Sequence, residues 1–308
     1  MLLLDDAQHF VRGPDWTWYI LFYFFFAGLS GGSYFLASLF RVNGNPADEP
    51  AARLGYYVAF VTLLPCPVLL TLDLGKPLRF WHMLVNTTPG SEGVAFKYWS
   101  PMSVGAWALV VFGAFATVSF LDALRRDRTD RGSPSGVPAK LWAIVGGVLA
   151  LFVAGYTGVL IAVSNQPVWS DTWALGGLFL ASGLSGSAAL LGWLTRYRRD
   201  TGASGIVFAR TERFYPLLEL ALIVVFALTL ISAGTLSQAF AFPWILLWLV
   251  AFVGLFSGLF APRRIALRQR VDASGAVAVE SVHIATVVSL LVIIGVLALR
   301  AAVIFSAQ

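Results

Sequence analysis

Residues 16–40 read WTWYILFYFFFAGLSGGSYFLASLF, twenty-five consecutive positions without a charge. A helix rises about 1.5 Å per residue and needs about 20 apolar residues to cross the hydrocarbon of a bilayer, so this stretch alone is long enough to span one. Uncharged runs of similar character recur at 54–72, 98–121, 141–170 and 172–195. The run 220–262 is too long for one crossing and breaks near Gly234–Pro243, so it counts as two; the last run is 284–299. The spacing predicts eight transmembrane helices. In lipid every backbone N–H and C=O needs an internal partner, which leaves helices or closed barrels, and none of these runs alternates as a barrel strand does. The expected fold class is all-α, a polytopic membrane protein.

Composition agrees. The 308 residues are 58% hydrophobic and 12% charged, with a mean hydropathy of +0.78. A soluble domain carries about 25% charged residues and needs a polar skin that this chain lacks. The net charge of +5 does not point to nucleic acid, because the arginines lie between apolar runs and not on an amphipathic face. The single cysteine, Cys66, excludes an intrachain disulfide and a Cys-ligated iron–sulfur cluster of the chain's own. The opening residues MLLLDDAQHFVRGPDW have no basic region before their apolar positions, so they read as mature sequence and not as a cleaved signal.

Basic residues are unequally shared between the two sides. The loops after the first, third, fifth and seventh runs hold sixteen, among them Arg41, Arg53, Arg125, Arg196 and Arg263; the other side holds five, Arg12, Lys76, Arg79, Lys97 and Arg300. The positive-inside rule then puts the arginine-rich loops in the cytoplasm and both termini outside. There is also an internal repeat. Gly28-Leu29-Ser30-Gly31 recurs as Gly183-Leu184-Ser185-Gly186, and the match continues at Leu36/Leu191, Leu39/Leu194 and Arg41/Arg196, seven identities in fourteen positions. Both copies enter from the outside, so the repeat is parallel. It divides the chain into two four-helix bundles, residues 1–140 with 141–170 and residues 171–308.

Few polar groups fall where chemistry could use them. The richest is the segment Leu72-Asp73-Leu74-Gly75-Lys76-Pro77-Leu78-Arg79-Phe80-Trp81-His82 at the outer boundary. A carboxylate at the hydrocarbon edge costs several kcal/mol unless it is paired or useful. Asp73 is therefore either a helix-end residue paired with Lys76 or Arg79, or a group that exchanges protons with a quinone head group. Tyr19 and Tyr23 lie one helical turn apart on one face; Tyr19 is at interface depth and Tyr23 is deeper. Tyr156, between Gly155 and Gly158, falls near mid-membrane and needs a partner for its hydroxyl. That partner is either a neighbouring helix or a quinone carbonyl. Glu219 is placed within the sixth run's cytoplasmic end, close enough to pair with Arg213, and is a candidate for a proton route. The three histidines, His9, His82 and His283, cannot flank one iron at one depth, so a b-type haem is not expected. No metal-ligand spacing or nucleotide-phosphate loop occurs.

These segments resemble the polysulfide reductase membrane-subunit family, also called NrfD/PsrC-like. The residues that carry the resemblance are Tyr23–Gly32 in the first run, Asp73-Leu74-Gly75-Lys76-Pro77 with Arg79-Phe80, Tyr156-Thr157-Gly158, and Ser182–Gly186. Their order and spacing together are more specific than any one of them. The resemblance implies a haem-free bundle that binds menaquinone or ubiquinone near one membrane face. It implies a docked ferredoxin-like iron–sulfur subunit, itself attached to a catalytic subunit that is often a molybdopterin enzyme. The family's quinone pocket corresponds to Tyr19, Tyr23, Asp73 and Tyr156, with Arg79 and His82 on the following turn; where some relatives carry Asn and His in the first helix, this chain has Tyr at both positions.

The expected function is that of a quinone-reactive anchor subunit of a respiratory oxidoreductase in the bacterial cytoplasmic membrane. Tyr23 and Tyr156 would hold the carbonyls and Asp73 would exchange protons with the outer aqueous phase. Residues Lys76–Trp99 would form the docking surface. The rival expectation is an ion or solute transporter built from two parallel halves, which would bring polar residues of both halves together at mid-membrane.

Overall fold

A computed structural model describes residues 15–129, 136–197, 205–260 and 279–308, and of 205–213 and 279–283 the backbone alone. His9, Arg12 and the side chains of Arg213 and His283 lie outside the described residues, as do most of the arginines of the last three basic loops. The first helix, α1 (Trp18–Asn43), begins where the Thr17 hydroxyl accepts from the Tyr19 amide and ends at Gly44, whose left-handed φ of 70° lets its N–H return to the Phe40 carbonyl. A single-turn 3-10 segment then leads into α2 (Glu49–Leu63) and α3 (Pro65–Asp73). The uncharged run 54–72 therefore contains a break: Pro65 has no N–H to give and its ring crowds the preceding turn, so the two helices meet at Leu64–Pro65.

A 3-10 segment, Pro77–Met83, and a two-rung antiparallel ladder pairing Val85 with Val94 and Asn86 with Gly93 connect α3 to α4 (Pro101–Thr129). Then come α5 (Val137–Ala162), α6 (Leu175–Thr195), α7 (Gly205–Ala233), the short α8 (Leu236–Ala239), α9 (Trp244–Phe260) and α10 (Val279–Phe305). The uncharged stretch 141–170 is helical only through Ala162, because Ser164-Asn165-Gln166-Pro167 cannot extend the ladder. Seven helical spans among the described residues are long and apolar enough to cross a membrane, α2 and α3 counting as one. The eighth expected crossing is α9, of which the 17 residues Trp244–Phe260 are described.

The bundle is organised around α1, which packs on α2, α3, α5, α6 and α10, while α10 packs on α6 and α9. The two Gly-Leu-Ser-Gly copies touch each other. A Cβ on Gly183 would lie 3.0 Å from the Gly28 carbonyl oxygen, and the Ser187 hydroxyl donates to the Leu29 carbonyl at 2.9 Å. Small residues allow this approach where lipid offers no hydrophobic drive between helices. Both ends of the described chain meet at one end of the bundle, where the Gln308 side chain donates to the Trp16 carbonyl at 3.3 Å.

Three arginines that the charge asymmetry assigns to loops are not at the surface. Arg41 and Arg53 are each 9% exposed and Arg300 is fully buried. Arg41 and Arg53 share Glu49 at 3.3 and 3.2 Å, and Arg41 also meets Asp122 at 3.1 Å. The sequence puts Arg300 at the outer edge because the last uncharged run stops there; the apolar Ala301-Ala302-Val303-Ile304-Phe305 that follows carries α10 another turn and more.

Candidate functional site

The start of α1, the length of α3, the start of α4 and the end of α5 border a mostly apolar cavity of about 210 Å³. Trp16, Ile20, Tyr23 and Phe24 form one wall; Pro67, Leu70, Thr71 and Asp73 another; Met102, Gly105 and Leu109 a third; Tyr156 and Leu160 close it. Phe80, Met83 and Leu84, from the connection after α3, also line it. The helix break at Pro65 separates α3 from α2, and the cavity wall on this side is built from α3 alone.

Tyr23, Asp73 and Tyr156, read from distant parts of the sequence, line this one cavity. Tyr23 is buried at 4% exposure, with Cys66 and Tyr156 as its electrostatic neighbours. Among the described residues its hydroxyl has no hydrogen-bond partner. Asp73 ends α3 half-buried and forms no ion pair with any described residue, Lys76 and Arg79 included. Tyr156 is different. Its hydroxyl donates to the Pro101 carbonyl at the start of α4, and its ring lies so close to Gly105 that a methyl there would overlap it. A phenol has one proton, and this one is committed to a neighbouring helix; only its lone pairs remain to accept.

The other sequence candidates lie elsewhere. Tyr19 is 44% exposed and does not line the cavity. Arg79 and His82 sit on the exposed Pro77–Met83 turn, with the His82 ring 3.9 Å from that of Trp81, and neither lines the cavity. The sequence reading sets Glu219 near the end of a helix beside Arg213. Instead α7 begins at Gly205, which puts Glu219 deep in the helix and 3% exposed, with Ser185 and Arg300 as its neighbours. Arg300 escapes the sequence reading as an interior residue. It donates to the Phe24 carbonyl at 2.7 Å, the Phe179 carbonyl at 2.9 Å and the Ser182 hydroxyl at 3.1 Å, and lies 4.8 Å over the Phe179 ring. Gly28 makes room for it, since a Cβ there would overlap the guanidinium. The apolar pentad after Arg300 is the signal that could have located it.

A site with an apolar wall, the free hydroxyl of Tyr23 and the free carboxylate of Asp73 suits a flat, largely apolar molecule with polar atoms at its edge. A quinone head group fits that description, and Tyr23 and Asp73 are the residues that would meet its oxygens.

Known proteins share much of this sequence. Over 183 residues, 55% of each chain, the protein is 31% identical to the C component of polysulfide reductase from Wolinella succinogenes. Over 77 residues it is 38% identical to the C component of selenate reductase from Mesobacillus selenatarsenatis, covering 25% of this chain and 18% of the relative. The chain thus spans about half the length of the first of these relatives and less of the second. Residues 8–308 match the family described as polysulphide reductase, NrfD. Since that match runs across the whole helical bundle, the chain is a multi-pass membrane protein and belongs to the NrfD polysulphide reductase membrane-subunit family.

Proposed function

We propose that this protein is the membrane anchor of a respiratory reductase complex and passes electrons between membrane quinone and a docked iron–sulfur subunit. The observation that carries the proposal is the cavity itself, where the Tyr23 hydroxyl and the Asp73 carboxylate, without a partner among the described residues, line one space. Neither spends its hydrogen-bonding capacity on the protein, so a phenol proton and carboxylate lone pairs are available to a molecule that enters the same space. A quinone, menaquinone or ubiquinone, supplies a two-electron, two-proton couple when bound. The Tyr23 hydroxyl would donate to one edge oxygen and orient the ring. The Asp73 carboxylate, at the end of α3, would hold or release the proton and hand it to the aqueous phase beyond the Pro77–Met83 turn. The phenol of Tyr156 keeps its proton on Pro101, so its part is to form the wall. The apolar side chains keep water from the edge that Tyr23 meets.

The electrons need a second protein. The relatives' names place them in polysulfide and selenate reductases, and the partners proposed here are a ferredoxin-like iron–sulfur subunit and a catalytic, molybdopterin-type subunit. Their docking surface would be the exposed connection from Lys76 to Trp99, where Leu78, Val94, Tyr98 and Trp99 are 90, 71, 77 and 68% exposed. In this reading all eight crossings are used, the two halves are parallel repeats, and the cavity end with both termini faces the outside of the bacterial cytoplasmic membrane. Asp73→Asn keeps the shape and removes the proton acceptor. Quinone turnover by the assembled complex should fall about 10²- to 10⁴-fold with the complex intact on a sizing column; normal turnover in that variant would refute the assignment.

One observation favours an added role for the second half. Glu219 and Arg300 are an acid and a base buried together among apolar helices, which is expensive unless used. If they form a proton route, Glu219→Gln in proteoliposomes keeps quinone turnover and lowers the number of protons moved per electron. An unchanged ratio rejects the route.

A further inference from the structure

The cavity wall on the α1 side is backed by residues that do not line the cavity, Trp169 and Gln308. Trp16 precedes α1, so no helical hydrogen bond fixes its ring. Its position is set by neighbours: it stacks on Trp169 with centroids 5.1 Å apart at 27°, meets Phe24 edge-on at 6.1 Å, and has its carbonyl held by Gln308. Trp169 lies in the loop between α5 and α6, wholly buried. Its indole N–H donates to the Val303 carbonyl at 2.8 Å, one of the last carbonyls of α10, which have no helical donor of their own.

The backbone beside Trp169 is strained to put it there. Val168 has a φ of 69°, a left-handed value that a β-branched residue adopts only when its surroundings demand it. The Val168 amide donates to the Asp171 carboxylate at 2.8 Å, and the Ser170 amide returns to the Gln166 carbonyl at 2.9 Å. The turn is therefore specified, and what it delivers is a flat face behind Trp16. Trp169 and the carbonyl of Val303, both remote in sequence from α1, thus decide where the Trp16 ring stands in the cavity.

We infer that Trp169 is a positioning residue for the quinone cavity, fixing through its stack the wall that Trp16 presents to the ligand. The inference rests on the reading of the cavity as the quinone site. Trp169 contacts no ligand and transfers no proton, so its loss should weaken binding in ground and transition state alike and leave the chemical step in place.

The test uses the assembled complex in detergent with 2,3-dimethyl-1,4-naphthoquinone and a short-tailed benzoquinone as acceptors or, reduced, as donors. Trp169→Phe keeps a stacking face; Trp169→Leu fills the space without one; Trp169→Ala empties it. KM for the quinone should stay within about twofold of wild type in Trp169→Phe and rise about three- to tenfold in Trp169→Leu and further in Trp169→Ala, the loss of an aromatic pair, with kcat within about twofold throughout. An unchanged KM in Trp169→Ala overturns the inference, as does a parallel fall in kcat. Failure of both Trp169→Leu and Trp169→Ala to assemble overturns it too, because the residue is then only part of the frame. Asp73→Asn, measured alongside, separates the two claims. If that variant turns over normally, the cavity is not the quinone site; if it is inactive while Trp169→Ala keeps its KM, only the positioning role is lost.

Discussion

The two ends of the first four helices use the same residue types, tyrosine and carboxylate, and treat them in opposite ways. At the end where α1 meets α2 and the tail of α4, acids and bases interlock. Glu49 lies between Arg41 and Arg53, Asp122 between Arg41 and Arg126, and Asp127 beside Arg53. Two tyrosines there are satisfied as well: Tyr56 under the Arg41 guanidinium at 4.5 Å with its hydroxyl 3.3 Å from Ser38, and Tyr34 with its hydroxyl 2.8 Å from Ser119, which also accepts from Trp142. At the cavity end, among the described residues, Tyr23 and Asp73 have no such partners. A closed polar network fixes helices in place, whereas an open pair beside a cavity is available to whatever enters. Residue type alone does not distinguish framework from site; the difference is whether the hydrogen-bonding capacity is already spent.

The comparison breaks most visibly at Glu49. Glu49→Gln keeps the volume but removes the charge shared by two buried arginines, leaving Arg41 to Asp122 and Arg53 to Asp127. Deleting one member of a buried ion pair costs about 3–5 kcal/mol. The thermal midpoint of the purified complex should therefore drop clearly, while quinone KM in the surviving complex stays at the wild-type value. A stable variant with altered KM would mean that the two ends are not separate in role.

The helices are legible in the sequence because lipid imposes one requirement, about 20 apolar residues, and the chain meets it repeatedly. The interior of each run is less informative. Pro65 stands in an otherwise continuous apolar stretch, and the same residue is tolerated in membrane helices when neighbours satisfy the freed groups, so its break is not dictated locally. Glu219 and Arg300 are misplaced for a related reason. Charge ordinarily marks a helix end, yet each is carried inside by a helix that continues past it, and each finds the other or a carbonyl there. The meeting of Tyr23, Asp73 and Tyr156 has no periodic signature at all, since no rule of spacing relates residues on different helices; in the sequence only the family resemblance groups them. Trp169 could not be singled out from a loop reading Asn165-Gln166-Pro167-Val168-Trp169, because its partners lie toward the two ends of the chain.

The same contrast operates on a finer scale within the cavity, between its two tyrosines, and a matched pair of substitutions resolves it. Tyr23→Phe removes a hydroxyl with no partner among the described residues, so the protein loses little by it; if that hydroxyl serves the quinone, kcat/KM falls about tenfold, the value of one well-made hydrogen bond at a ligand, and the thermal midpoint stays put. Tyr156→Phe removes the donor to the Pro101 carbonyl and leaves that carbonyl without it at the head of α4. The cost should therefore appear as stability, about 1 kcal/mol, with kcat/KM changed less than about threefold because the ring still fills the space beside Gly105. The reverse outcome, a kinetic loss at Tyr156 and a thermal loss at Tyr23, would show that the phenol of Tyr156 leaves Pro101 when quinone binds. The two residues would then trade roles between the empty and the occupied cavity, because a single proton cannot serve the carbonyl of α4 and a ligand at once.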